Sequence, residues 1–218
     1  MSKKRIRYAK TGKAKYISHL DLTATMQRAF LRAGIKLKYS EGFNPHPYMS
    51  VALPLSVGCE STCELMDVEM FDDLTPDALS GLLPEGLNIL EAYIPERKFS
   101  HIKWIDIRCE LHYDDSGDDP GQDMIIGKLS EHFDKTSIVI PKKSKSGISY
   151  IDIAPFIRNA RFTGGEYIIM TARVSAQNPT ISQNDIINLV SCDSKIIIPS
   201  HLKTKRIEIY DKDMLLFR

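Results

Sequence analysis

Cysteine is scarce: four in 218 residues, too few and too irregularly spaced to read as a disulfide scaffold. Long apolar runs are missing as well. The longest, such as Ile196-Ile197-Ile198, fall far short of the roughly 20 residues a bilayer-spanning helix needs. No basic segment followed by an apolar stretch opens the chain, so a reduced, cytoplasmic protein without a membrane span is expected. Low-complexity tracts are absent. With 43% apolar and 26% charged residues, the composition is that of a folded chain, long enough for one large domain or two small ones.

Charge is nearly balanced in total, at +1, but not along the chain. Residues 1–50 hold eleven Lys and Arg against Asp21 and Glu41, whereas residues 51–124 hold four basic against seventeen acidic side chains. A basic block of this density fits phosphate or nucleic acid, whose counterions it would release. It fits internal pairing with the acidic block equally well.

Periodicity sets out the elements. Lys4 to Tyr8 alternates as a strand, and a turn about Thr11-Gly12 follows. Ser18 and Asp21 form a capping-box pattern. Leu22, Met26, Ala29, Phe30 and Ala33 then make one helical stripe ending at Gly34, and Leu20, Ala24 and Leu31 suggest a second buried side. Ile35, Leu37 and Tyr39 alternate as a second strand that ends in the turn Glu41 to Pro47. Met49, Val51, Leu53 and Leu55 give an extended segment and Leu65 to Phe71 another, and a helix from Thr75-Pro76 and a strand over Leu87 to Ile94 complete a ferredoxin-like split βαβ order. The remainder repeats that order without any residue-level repeat. The expected class is α+β, two tandem ferredoxin-like (βαββαβ) modules with antiparallel sheets, residues 1–97 and 98–218. Asp114 to Gly121 reads as an exposed loop.

Two segments carry the candidate chemistry. Lys10, Lys13 and Lys15 surround a Gly-containing turn leading to a helix N-terminus at Ser18, which suits an anion; simple helix capping by Ser18 and Asp21 is the alternative. His19 and His46 sit at element ends. With Asp21, Glu41 and Asn44 they could form one polar cluster for acid/base work or nucleotide recognition, if the loops after strands one and two share an end of the sheet. Otherwise His19 supports the helix entry and His46 is a turn residue. Phe43 is the best base-stacking candidate, and Arg28, Arg32 and the Lys142-Lys143-Ser144-Lys145 run supply further cations. Arg5, Arg7, Lys36 and Lys38 either grip RNA on an open sheet or pair with Asp67 and Glu69 projecting between them. Cys59 and Cys63 lack a second ligand pair, and no metal or other cofactor is expected; Cys109 and Cys192 read as small buried hydrophobes.

The stretch Arg5 to Asp21, with Ser18-His19-Leu20-Asp21, then Arg28-Ala29, then Ser40-Glu41-Gly42-Phe43-Asn44-Pro45-His46-Pro47, resembles the bacterial radical SAM-linked (radical SAM-associated) family, whose members are uncharacterised. The resemblance implies association with a radical SAM enzyme, without an iron–sulfur cluster in this chain, which has no three-cysteine cluster motif. The expected role is a non-catalytic binding or adaptor protein presenting RNA or another phosphate-bearing substrate. The alternative is a metal-independent RNA-processing enzyme with His19 and His46 exchanging protons.

Overall fold

The computed structural model describes residues 2–113, 121–144, 147–191 and 198–218. The expected loop over 114–120, Lys145 and Cys192 lie outside these residues. Two compact units emerge, one of residues 1–101 with 216–218 and one of residues 102–215. The architecture is mixed α/β, with mainly antiparallel sheet and three α-helices among the described residues. None of these helices is long and apolar enough to cross a membrane.

In the first unit, β1 (Ser2–Lys10) lies between β3 (Glu60–Met70) and β4 (Leu87–Tyr93), antiparallel to both. The short β2 (Met49–Val51) pairs with the far side of β3. Alternation puts Ile6, Tyr8, Met66, Val68 and Met70 on one face, where they meet Leu22, Met26, Ala29 and Phe30 of α1 (His19–Arg32). A second buried side of α1 does not form: Leu20 is 77% and Leu31 57% exposed. The expected helix after Thr75 shortens to one 3-10 turn, Pro76–Leu79, because Gly81 turns the chain away at φ +72°.

The second strand also departs from expectation. Residues 35–38 run along β3, with Leu37 bridged to Met70 and the Lys38 N–H donating to the Glu69 carbonyl. The chain then leaves the sheet edge, closes a loop through the Tyr39–Pro47 bridge, and returns to β3 at Met49, opposite Val68. Glu41 to Pro47 therefore interrupts the edge strand rather than ending it.

In the second unit, β5 (Trp104–His112) lies between β10 (His201–Tyr210) and β9 (Ile168–Ser175), and β8 (Ile157–Thr163) pairs with the outer side of β9, all antiparallel. Ile105, Ile107, Cys109 and Leu111 alternate inward, as do Ile168, Met170, Ala172 and Val174. On that side, Phe133 of α2 (Gln122–Phe133) meets Phe162 edge-on at 5.2 Å. A third helix, α3 (Gln183–Ser191), and a separate hairpin, β6 (Val139–Ser144) with β7 (Gly147–Asp152), complete the unit. Lys142, expected in a solvated run, is in β6 with its ammonium 3.4 Å from Asp185.

Candidate functional site

The turn after β1 consumes the groups that an anion would need. Lys10 is buried, and its ammonium donates to the Ile17 carbonyl at 2.6 Å. The Gly12 N–H donates to the Glu60 carboxylate at 3.1 Å, and the Lys15 ammonium lies 3.9 Å from the same carboxylate. Ser18 accepts the Asp21 N–H at 3.2 Å and donates its hydroxyl to the Asp21 carboxylate at 2.7 Å. The capping box thus closes side chain to side chain instead of onto the Ser18 backbone. The cradle imagined for a phosphate already holds the carboxylate of Glu60, a residue that sequence reading did not connect to it. Lys13 and His19 remain exposed, with no side-chain partner among the described residues.

The loop Glu41 to Pro47 is anchored at its base and bare at its tip. Ser40 and His46 close it with two hydrogen bonds, of 2.8 and 3.0 Å, and Gln27 of α1 donates to the Tyr39 hydroxyl at 3.2 Å. Gly42 takes φ +118°, a conformation only glycine adopts freely. Phe43 beside it is fully exposed, and Glu41, Asn44 and His46 are exposed too. A bare phenyl ring on a fixed loop base is an unsatisfied apolar surface of the kind that stacks on a flat partner. At the base of the loop, the Lys38 ammonium sits 4.8 Å from the centre of the Tyr48 ring. Its hydrogen bond to Glu69, 2.9 Å, raises the Lys38 pKa.

His19 and His46 are not brought together. The helix entry follows Lys10, which pairs with Ser61, whereas the loop departs at Lys38, level with Glu69. Those levels are eight residues apart on β3, about 26 Å at the usual strand rise. The segment that does meet the helix entry is the one after β2, where the Gly58 N–H donates to the Lys15 carbonyl at 3.0 Å. The expectation of one shared polar cluster assumed that strand two ended at Glu41; because it resumes at Met49, the loop that shares the end with His19 is a different one. Neither imidazole makes a side-chain hydrogen bond or ring contact among the described residues.

The basic strand residues are paired internally. Arg5 is buried and grips Asp67 with two hydrogen bonds, 2.7 and 3.1 Å, and Lys3 adds a third contact at 3.1 Å. Arg7 pairs with Glu91 at 2.9 Å. On α1, Arg28 is exposed without a partner among the described residues, and Arg32 donates to the Leu82 carbonyl. Both line a groove of about 740 Å³ with Thr25, Leu31, Leu83 and Pro84. Cys59, Cys63 and Cys109 are buried, and among the described residues no three His, Cys, Asp or Glu side chains are placed to hold a metal.

A family model described as an uncharacterised protein conserved in bacteria (DUF2344) matches residues 3–188. The chain belongs to that family. No curated protein matches it. Among solved structures, a chain of a crystal structure of a Cbf5-Nop10-Gar1 complex is similar, with a TM-score of 0.50 and 11% identity, over 94% of this chain and 48% of that one. The chain therefore spans about half the length of this neighbour. At such low identity the likeness concerns the fold alone.

Proposed function

We propose that the protein is a non-catalytic binding protein that holds single-stranded RNA for a partner enzyme. The observation that carries this reading is Phe43, wholly exposed in a loop closed by Ser40 and His46, whose flanking Lys38 and Tyr48 hydrogen-bond Glu69 of β3 and whose Tyr39 accepts from Gln27 of α1. Aromatic rings presented this way stack bases without demanding a sequence, and nearby cations take up the phosphates. Of the first-unit site cations, Arg28 has no partner among the described residues, and the groove beside it gives the backbone a path; Lys13, also unpartnered, lies toward the other end of β3 from the Phe43 loop. Lys10 has a structural role instead.

The partner follows from the resemblance of the Arg5 to Asp21 and Ser40 to Pro47 segments: a radical SAM enzyme, to which this chain delivers the substrate. The fold reading goes with it. Each unit is taken as a ferredoxin-like module, supported by a shared strand order in which the first strand lies between the third and the fourth and the second pairs outside the third, once β8 and β9 are counted as the second and third strands of the later unit. Proton exchange between His19 and His46 needs both rings at one substrate atom, and their separation along β3 counts against it.

Fluorescence anisotropy with a labelled single-stranded RNA tests the binding. Phe43→Ala is expected to weaken affinity about tenfold, as one lost stack of roughly 1–3 kcal/mol predicts, while leaving the melting temperature unchanged. Equal affinity of the variant and the parent, or no RNA binding at low salt, overturns the reading.

A further inference from the structure

In the second unit α2 packs against one face of the sheet, through Phe133 and Phe162. Phe162 and its inward neighbours turn toward α2, so the alternate residues of β8, β9, β5 and β10 face the other way. Arg161 is opposite Thr171, Thr171 opposite Arg108, and Arg108 opposite Lys205, making one row across four strands. Three of these four residues are cationic. Like charges directly opposite each other in a sheet repel, so such a row costs stability unless something negative lies on it.

The row below is balanced internally. Arg173 grips Asp106 with hydrogen bonds of 2.6 and 2.9 Å and lies 3.9 Å from the centre of the Tyr210 ring, and Arg158 covers Trp104 at 4.1 Å. In the upper row Arg108 is hydrogen-bonded to Glu110 and to the Tyr167 side chain, so the uncompensated cations are the two that flank it, Arg161 and Lys205. The Glu110 carboxylate is shared by Arg108, by Lys203 at 3.7 Å and by His112 at 3.8 Å. Lys205 and the exposed Arg161 have no ion pair or hydrogen bond among the described residues. Above the cations, the His112 ring is 4.7 Å from that of Tyr167 and 5.7 Å from that of His201. The His112 Nε2 makes no hydrogen bond, and both ring contacts are tilted, at 35° and 48°.

We propose that this face binds single-stranded nucleic acid, with backbone phosphates on Arg161, Arg108, Lys205 and Lys203 and a base against the His112–Tyr167 rings. It deepens the RNA reading above by giving the strand a second surface, built from residues that take no part in the Phe43 loop. An open sheet with cations across its strands and rings at one end has the two components that single-strand binding requires, a charged track and a stacking platform.

The test compares three full-length proteins by anisotropy with labelled single-stranded RNA across a salt series: the parent, Phe43→Ala, and the double variant Arg161→Glu, Lys205→Glu. The double variant is expected to lose at least tenfold in affinity and to flatten the salt dependence by about 1.4 in logarithmic slope, two phosphates at roughly 0.7 each. Its melting temperature should be no lower than the parent's, since neither side chain has a partner to lose and a carboxylate opposite Arg108 relieves the repulsion in the row. Tyr167→Leu should weaken binding without changing the salt slope. If the parent binds and only Phe43→Ala fails, the face is overturned and the loop stands. If only the double variant fails, the face stands and the loop is overturned. Displacement of the RNA by poly-glutamate at equal charge concentration, with Tyr167→Leu unchanged, reduces the face to a general polyanion surface and overturns the proposal.

Discussion

Arg5 shows how much a single side chain decides. Alternation in β1 places it on the face away from α1, and the acidic β3 opposite places Asp67 within reach, so the pair was legible from the sequence. Its enclosure was not. The guanidinium lies 4.3 Å from the centre of the Phe99 ring and 5.2 Å from that of Phe217, and it donates to the Arg218 carbonyl 213 positions away. Contacts at that separation leave no local pattern to read. Burial makes the pair costly to break from one side, because the surviving charge has no water to turn to. Asp67→Asn is expected to destabilise the first unit by about 3 kcal/mol, read as a lowered urea midpoint. A loss under ~1 kcal/mol would mean that Arg5 is solvated and the aromatic enclosure is loose.

At the level of elements, local signals succeeded where structure is local. The Ser18 cap, the Leu22 to Phe30 stripe and the Gly34 stop all lie within a few residues of what they control, and α1 forms as they indicate. Ser18→Ala should cost about 1 kcal/mol through loss of the cap. The loop Glu41 to Pro47 reads as the end of the second strand because Gly, Asn and Pro announce a turn but not that the extended segment after it, from Met49, resumes the same sheet edge. Resumption at Met49 is set by pairing to Val68, a contact across the chain. The same limit hid Gly86. Its φ is +85°, and a Cβ there would sit 2.1 Å from the Thr11 carbonyl oxygen, which the backbone cannot yield because the Thr11 N–H is tied to the Gly86 carbonyl at 2.8 Å. Gly12 also has positive φ, at +55°, but faces open space. Thermal melts should therefore separate the two substitutions: Gly12→Ala costs about 1 kcal/mol of backbone strain, and Gly86→Ala clearly more. Equal losses would show that the approach of Gly86 to Thr11 is not rigid.

For the molecule as a whole, the first unit runs strand, helix, strand, strand, 3-10 turn, strand, while the second sets the β6–β7 hairpin between α2 and the strands β8 and β9; the elements were readable because each announces itself by its own period, and their pairing was not. The return of residues 216–218 to the first unit was not readable, nor was the cationic row on the second, which exists only once four distant strands are in register. Stability against pH sums over both units. The Lys4 ammonium holds Asp73 below its ordinary value, and the Ile138 N–H, with Ser137, does the same for Asp152. Burial works against the ionised form of Glu110, but Arg108 outweighs it and leaves the group low. Carboxylates held low contribute stability above their ordinary values, near 4, that is lost as pH falls through the lower folded values. At the other limb, burial pushes the Tyr113 phenol up to about 12 from 10.0, and its hydroxyl has no hydrogen-bond partner. Above pH 10 the unfolded chain gives up this proton while the folded chain keeps it, so stability drains away between 10 and 12. Tyr113→Phe should flatten that alkaline limb without lowering stability at neutral pH, because the hydroxyl it removes is buried and unsatisfied. The single tryptophan, Trp104, lies in the same unit and reports its unfolding by fluorescence. An alkaline limb identical in parent and variant would place the Tyr113 hydroxyl in contact with water and remove it from the pH balance.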